Sequence, residues 1–300
     1  MSLTALLGAL QVGLVFGLVA LGVFLSFRVL SFPDLTVDGS FPLGAAVTAT
    51  LIVSGVDAFS ATVVAAVAGA LAGLVTAFLN LRFGIQHLLA SILTMIALYS
   101  INLRIMGGPN VPLLNEVTVL TPFMGLGLAK RYLDPLAAGA VLAVMAVLLT
   151  RFLLSDYGLA MRATGANPRM ARAQGVDTTA TTYVGMAISN ALVALAGALF
   201  AQINGFADAT MGTGTIVVGL AAVIIGEAIF GTRSIVLSIV GCVIGSVLYR
   251  LAVAFALNTA FLGLSSSDLN LVTAILVAVA LILPGARNPV RALLVGRSKP

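Results

Sequence analysis

The sequence predicts an all-α polytopic transmembrane helical bundle of about eight to ten spans, with broken helices, in a single transmembrane domain covering 1–300. Three observations lead there. Hydrophobic residues make up 60% of the chain and charged residues only 8%, with a mean hydropathy of +1.16, whereas soluble domains carry about 25% charged residues. Runs of about 20 apolar residues recur along the whole length, enough to cross ~30 Å of hydrocarbon. Several other apolar runs are short and begin at clusters of Pro, Gly and Asp, the pattern of helices interrupted inside a membrane.

In order, Leu3 to Phe27 forms the first span, with Gly13 and Gly17 spaced for close helix contact. It lacks the basic start and A-x-A end of a cleavable leader, so it is expected to remain a span. Arg28 to Ser40 interrupts the apolar run with Pro33, Asp34 and Asp38. Phe41 to Val56 is a short span opening on Pro42 and Gly44; Phe59 to Leu81 is the third, with Gly69 and Gly73; Ile85 to Met106 is the fourth, with Arg104 able to snorkel from its end. The connection from Gly107 to Asp134 has an apolar middle, Val117 to Leu128, too short to cross and read as re-entrant or surface-lying. Pro135 to Leu154, Thr181 to Asn204, the short Ile216 to Phe230, Ile235 to Leu257 with Gly241 and Gly245, and Leu269 to Pro284 complete nine crossings.

Orientation follows from the bases. Arg151, Arg162, Arg169 and Arg172 surround the central loop, and Arg287, Arg291, Arg297 and Lys299 fill the tail, so eight of the 15 basic residues sit in two segments. Both segments, the loop 155–180 with Arg151 just before it and the tail 285–300, are expected on the cytoplasmic side, which places the N-terminus outside. Lys130 and Arg131 then fall outside, against the rule. The net charge of +5 is a topology signal of this kind and not a nucleic-acid one. Trp is absent, so an interfacial belt rests on the five Tyr.

Two regions share a layout. Gly39 and Gly44 precede a short span, a turn and the Gly69/Gly73 pair; Gly214 and Gly219 precede a short span, a turn and the Gly241/Gly245 pair. On the topology above they run in opposite senses, as inverted repeats around a transport pathway do; with 31 glycines in the chain, chance repetition is the competing reading. The interruptions carry the polar groups: Asp34, Thr36, Asp38 and Ser40 in the first, Asp208, Thr210, Thr213 and Thr215 in the second. An acid at membrane depth costs at least ~2.5 kcal/mol and normally faces a partner or a cavity. Asp34 and Asp38 are assigned a structural or pathway role, with Arg28 a partner for one of them, while Asp208 reads as a solvated loop residue and Glu227 as interfacial. Asn102, Asn190 and Gln202 read as interhelical hydrogen bonders.

The longest polar interruption, Ser155 to Ala180, contains one sharply bounded short helix. Asn167 can cap it, Pro168 suits its first turn and Gly175 can end it in the left-handed conformation. A helix of about two turns is marginal alone in water, so such punctuation suggests docking to a partner. Helical spacing puts Met170, Ala171 and Gln174 on one side and Arg169 and Arg172 on another. A basic loop that only fixes orientation is the plainer alternative.

The runs YGLAMRATGANPRMARAQGVD and MGTGTIVVGLAAVIIGEAIFG, followed by a Gly-x3-Gly span, resemble the permease subunits of ATP-binding-cassette importers of the branched-chain amino acid and ribose type. The opening FRVLSFPDLTVDGSFPLGAAV is similar to a bacterial subgroup that is uncharacterised or associated with aromatic amino acids. The resemblance implies an inner-membrane, multi-pass subunit with a cytoplasmic C-terminus. It implies a coupling element comprising Arg162, Gly165, Asn167, Pro168, Arg169, Met170, Ala171, Arg172, Gln174 and Gly175, docked on cytoplasmic ATP-binding subunits. It further implies a second permease copy, identical or not, and an extracytoplasmic solute-binding protein. The substrate path it implies runs near Phe32, Asp34, Thr36, Asp38, Ser40, Phe41 and Gly44, with Thr213 and Thr215 from the second break. Phe32 and Phe41 would suit an aromatic or branched side chain, although phenylalanine is ordinary in spans. ATP and magnesium would belong to the partner, leaving this chain without a cofactor.

The absences agree. No G-x4-G-K-[ST] phosphate loop occurs, so energy must come from another subunit or an ion gradient. Cys242 and His87 are the only Cys and His, which excludes a disulfide or a His/Cys metal site within the chain. The chain is therefore not expected to be an enzyme, since no nucleophile–base motif stands out either. The rival from another class is a secondary transporter that couples ions through Asp34 or Asp38.

Overall fold

The computed structural model describes residues 3–258 apart from 115, 120, 122–129 and 232, together with positions 274, 275 and 278. Helix α1 (Leu3–Val23) runs into a π-helical stretch, Phe24–Val29, and a break leads to the short α2 (Val37–Val53), then α3 (Ala58–Phe83) and α4 (His87–Met106). Strand β1 (Asn110–Pro112) is followed by α5 (Lys130–Leu154), α6 (Asp156–Ala166) and α7 (Pro168–Ala173). Then come α8 (Thr178–Asn204), strand β2 (Phe206–Asp208), the short α9 (Thr215–Phe230) and α10 (Ile235–Asn258). Among the described residues six helices are long and apolar enough to cross a membrane, and α2 and α9, at 17 and 16 residues, are the interrupted ones. The expected ninth crossing, Leu269 to Pro284, the basic tail and most of the apolar stretch from Val117 to Leu128 lie outside the described residues.

The helix ends follow local chemistry. Asp57 caps α3 by accepting from the Phe59 and Ser60 amides, each at 3.1 Å, and Asp177 caps α8 by accepting from Thr179 and Ala180 at 2.9 and 3.0 Å. Both satisfy amide donors that the helix itself leaves orphaned. α3, α4 and α8 each stop on a left-handed glycine, Gly84, Gly107 and Gly205. β1 and β2 pair antiparallel, which ties the C-terminal ends of α4 and α8 together.

The repeat extends further than the glycine spacing suggests. α1–break–α2–α3 and α8–break–α9–α10 are matching units, and the third helix of each packs on the first helix of the other, α3 on α8 and α10 on α1. The units are inverted. The C-terminal ends of α2, α4 and α8 gather with the start of α3 around Ile52, Ala58, Leu113 and Ala207. At the opposite end, Arg28 after α1 meets Glu227 near the end of α9, and the ends of α3 and α6 line one cavity with the starts of α4 and α8. So α1, α3 and α9 run one way and α2, α8 and α10 the other.

α8 is the axis of the bundle, the most buried of the long helices at 72% over its apolar core. Small residues make this possible, because without a hydrophobic drive between helices in lipid, close backbone approach supplies the contact. Gly44 on α2 and Gly197 on α8 are a reciprocal case: a Cβ on Gly44 would overlap the Ala194 carbonyl, and one on Gly197 would overlap that of Phe41. The three Gly-x3-Gly pairs all lie at helix contacts, Gly13 against α10 and Gly17 against Leu142 of α5 and Ser246 of α10, Gly69/Gly73 against α8 and Gly241/Gly245 against α9.

Candidate functional site

The first break is pinned by a buried polar network. Asn190 on α8 donates from Nδ2 to Asp34 Oδ2 at 2.8 Å and accepts at Oδ1 from the Ser40 hydroxyl at 2.7 Å. The Thr36 amide donates to Asp34 Oδ1 at 2.9 Å, and the Thr36 and Thr76 hydroxyls share a bond of 2.7 Å. Asp34, Thr36, Ser40, Thr76 and Asn190 are all buried, so direct side-chain bonds stitch the first break and the start of α2 to α3 and α8.

Asp38 joins the two repeats. Its Oδ1 accepts from the Ile216 amide at 2.7 Å and its Oδ2 from the Gly214 amide at 3.1 Å. It thus caps α9 from the start of α2. A carboxylate there satisfies two orphan donors and lies at the positive end of the α9 dipole. The expected partnership of Arg28 with Asp34 or Asp38 does not form. Arg28 Nε pairs instead with Glu227 Oε1 at 2.6 Å, because Arg28 projects from the end of α1 where α9 terminates, whereas both aspartates find amide donors deeper in the bundle.

A cavity of about 380 Å³ opens beside Asp38, between α2, α4 and the second break, lined by Gly39, Met95, Tyr99, Asn102, Thr210 and Thr213 among others. Asn102 donates to the Gly39 carbonyl at 3.3 Å, while its buried Oδ1 has no hydrogen-bond partner among the described residues. An unused buried acceptor of this kind costs about 1–3 kcal/mol and is a ready contact for a donor entering the cavity. Of the residues expected along a substrate path, Asp38 and Thr213 line this cavity. Asp34, Thr36, Ser40, Gly44 and Thr215 are buried in helix contacts. Phe41 stacks with Phe16 and Phe200, centroids 5.5 Å from each. Tyr99 and Met95 were not singled out from sequence: only the fold brings the exposed face of α4 to Asp38.

The central loop is more helical than its polar composition suggests, since α6 precedes the foreseen short helix. Its signal was Ser155, which accepts from the Gly158 amide at 3.3 Å. α7 has the ends read from sequence: Asn167 Oδ1 accepts from the Arg169 and Met170 amides, both at 3.1 Å. Gly175 takes φ 83°, and the Val176 amide reaches back to the Ala171 carbonyl at 3.0 Å, closing the C-terminus. The faces divide differently from the expected grouping. Ala171 is 1% exposed and packs inward, whereas Met170 is 48% exposed. Arg169, Arg172 and Gln174 are exposed with Met170.

α6 and α7 are held against the membrane helices. Gly165 lies on the Val29 carbonyl at the end of the π stretch, and the Thr164 hydroxyl bonds that of Thr181 on α8 at 3.1 Å. A cavity of about 320 Å³ separates α7 from the first break, with Phe32, His87, Pro168 and Arg172 on its wall. Phe32 meets the His87 ring edge-on at 4.2 Å. The first break and α7 are therefore neighbours, which their separation in sequence did not reveal. Among the described residues no cluster of His, Cys, Asp or Glu could hold a metal ion.

Known proteins agree with this architecture. Residues 5–284 match the family described as branched-chain amino acid transport system, permease component. The chain is 36% identical over 287 residues to the tyrosine transport system permease protein of Clostridioides difficile, covering 95% of this chain and 93% of that one. It is 39% identical over 225 residues to an uncharacterised protein of Rickettsia prowazekii, covering 75% and 78%. Among solved structures it shares a fold, with a TM-score of 0.52 and 15% identity over 92% of this chain and 89% of the other, with PsaBC from Streptococcus pneumoniae in complex with Fab. An inverted helical bundle with broken helices, matched end to end, identifies the chain as a multi-pass membrane protein of the family of permease components of branched-chain amino acid transport systems.

Proposed function

We propose that this chain is the membrane-spanning subunit of an ATP-binding-cassette importer for an amino acid with an aromatic or branched side chain. α7 is its docking peg on a cytoplasmic ATPase, and the α5–α8 end of the bundle faces the cytosol. The observation that carries this reading is the construction of α7. It is a two-turn helix capped at both ends, anchored inward through Ala171, and it presents Met170, Arg169 and Gln174 outward. An exposed methionine flanked by guanidinium groups is a suitable plug for an apolar groove with an acidic rim.

Motion of α7 has a route into the bundle, through Gly165 to the end of α1 and through Phe32 to the first break. The solute path then passes the cavity at Asp38, whose open side is the exposed face of α4 carrying Ile96 and Tyr99. A second permease copy against that face would close it. The similarity to a tyrosine permease favours an aromatic solute. An extracytoplasmic binding protein would deliver it at the β1–β2 end.

Met170→Asp tests the docking. It is expected to abolish uptake and co-purification of the ATPase while membrane abundance is unchanged; normal uptake by this variant contradicts the reading. Ion coupling through Asp34 or Asp38 is poorly supported, because all four carboxylate oxygens already accept hydrogen bonds within the chain. Uptake that survives loss of the ATPase but collapses with an uncoupler would reinstate it.

A further inference from the structure

At the end of the bundle where α1 and α9 finish, a cavity of about 510 Å³ opens whose charged wall neither α7 docking nor the solute path accounts for. Arg28 from the end of α1, Arg162 from α6 and Arg233 from the α9–α10 turn all line it, with Glu227 the acid among its lining residues. Glu227 is engaged by Arg28 at 2.6 Å, so three guanidinium groups face one carboxylate. Arg162 Nε is buried and has no hydrogen-bond partner among the described residues. The first turn of α10 opens into the same cavity through Ser234, Ile235 and Ser238, adding the positive end of a 24-residue helix. Apart from Ser31, the rest of the wall is apolar, including Phe24, Val29 and Leu154. Guanidinium forks match phosphate oxygens geometrically, and a buried unpaired donor is costly unless an anion meets it.

We propose that this cavity binds a phosphate-bearing anion, its apolar wall suiting the glycerol and first acyl carbons of an anionic lipid headgroup. Arg162 and Arg233 hold the phosphate, and Arg28 is shared between it and Glu227. Each guanidinium near a membrane surface contributes about fivefold to binding of an anionic lipid. Binding at this site is separable from α7 docking because it is read on the isolated chain, although Arg162 and Gly165 border both.

The test is native mass spectrometry of the full-length chain released from micelles containing phosphatidylglycerol and phosphatidylcholine of identical acyl chains. Wild type is expected to retain phosphatidylglycerol selectively, and Arg162→Gln/Arg233→Gln to lose about 30-fold in affinity. Glu227→Gln is expected to bind about fivefold tighter, a gain that misfolding cannot produce. A separate titration with inorganic phosphate in phosphatidylcholine micelles distinguishes the sources. Saturable phosphate binding that the double variant abolishes, without preference for phosphatidylglycerol, keeps the site and assigns it a soluble phosphate. Equal retention of both lipids together with no phosphate binding overturns the proposal, as does a Glu227→Gln variant no tighter than wild type.

Discussion

Replacing Asn190 by alanine tests the network that pins the first break. The change removes the donor to Asp34 Oδ2 and the acceptor of the Ser40 hydroxyl. Interhelical hydrogen bonds in membrane proteins average about 0.6 kcal/mol each, so the two bonds alone are worth about 1.2 kcal/mol. The larger effect is the stranded partner: Asp34 is buried at 1% exposure, and leaving a buried polar group unsatisfied costs about 1–3 kcal/mol, more for a charge. The sum is about 2–4 kcal/mol, or roughly 3–6 °C in the melting temperature of a chain this size. The assay is thermal unfolding of purified protein in detergent, followed by loss of the monodisperse chromatographic peak. Because most of the loss comes from stranding Asp34, Asp34→Ala/Asn190→Ala is expected to melt well above the sum of the two single losses. Asn204→Ala, which removes a bond of 2.8 Å from an exposed side chain to the Phe200 carbonyl, is expected to change little. A melting temperature for Asn190→Ala within 2 °C of wild type, or strict additivity in the double variant, would refute the reasoning.

Gly44→Val places side-chain atoms where the Ala194 backbone runs and, with no flexible neighbour to yield, is expected to cost at least 3 kcal/mol and to deplete folded protein in membranes; Gly8→Ala, where a Cβ meets nothing, should be silent in the same expression assay. At the β1–β2 end, bonds from the Thr210 hydroxyl and amide, at 2.6 and 2.7 Å, hold the Asp208 carboxyl below its ordinary value of 3.8. A depressed carboxylate pKa gives stability that is present above the unfolded value and lost as pH falls through the folded one. Thr210→Val is therefore expected to lower stability at neutral pH and to flatten the acid limb of a melting-temperature series; a parallel series for the two proteins would show that the bond has no such effect.

Most of the fold was legible because lipid makes strict demands. Span lengths, the short spans α2 and α9, and the breaks before them follow from hydropathy and from the positions of Pro33, Gly44 and Gly214. The ends of α7 were legible residue by residue, since Asn167, Pro168 and Gly175 each act locally. What sequence could not supply is which distant groups meet. Arg28 pairs with Glu227, 199 positions away, while Asp38 meets amides at 214 and 216, and nothing in the local pattern distinguishes these from the opposite pairing. The inward turn of Ala171 was equally hidden, because in so short a helix every side chain is compatible with an outward face until the α6 contact fixes its rotation. The π stretch at Phe24–Val29 had no signal that we recognise.

The most direct measurement is photo-crosslinking from position 170, with Met170 replaced by a photoreactive amino acid in cells carrying the complete transport system. The account predicts one dominant adduct, an ATP-binding subunit, sensitive to the nucleotide state, with no such adduct from the buried position 171. A photoreactive side chain at 170 that is quenched only by solvent, or that captures no ATPase while uptake proceeds normally, would contradict it.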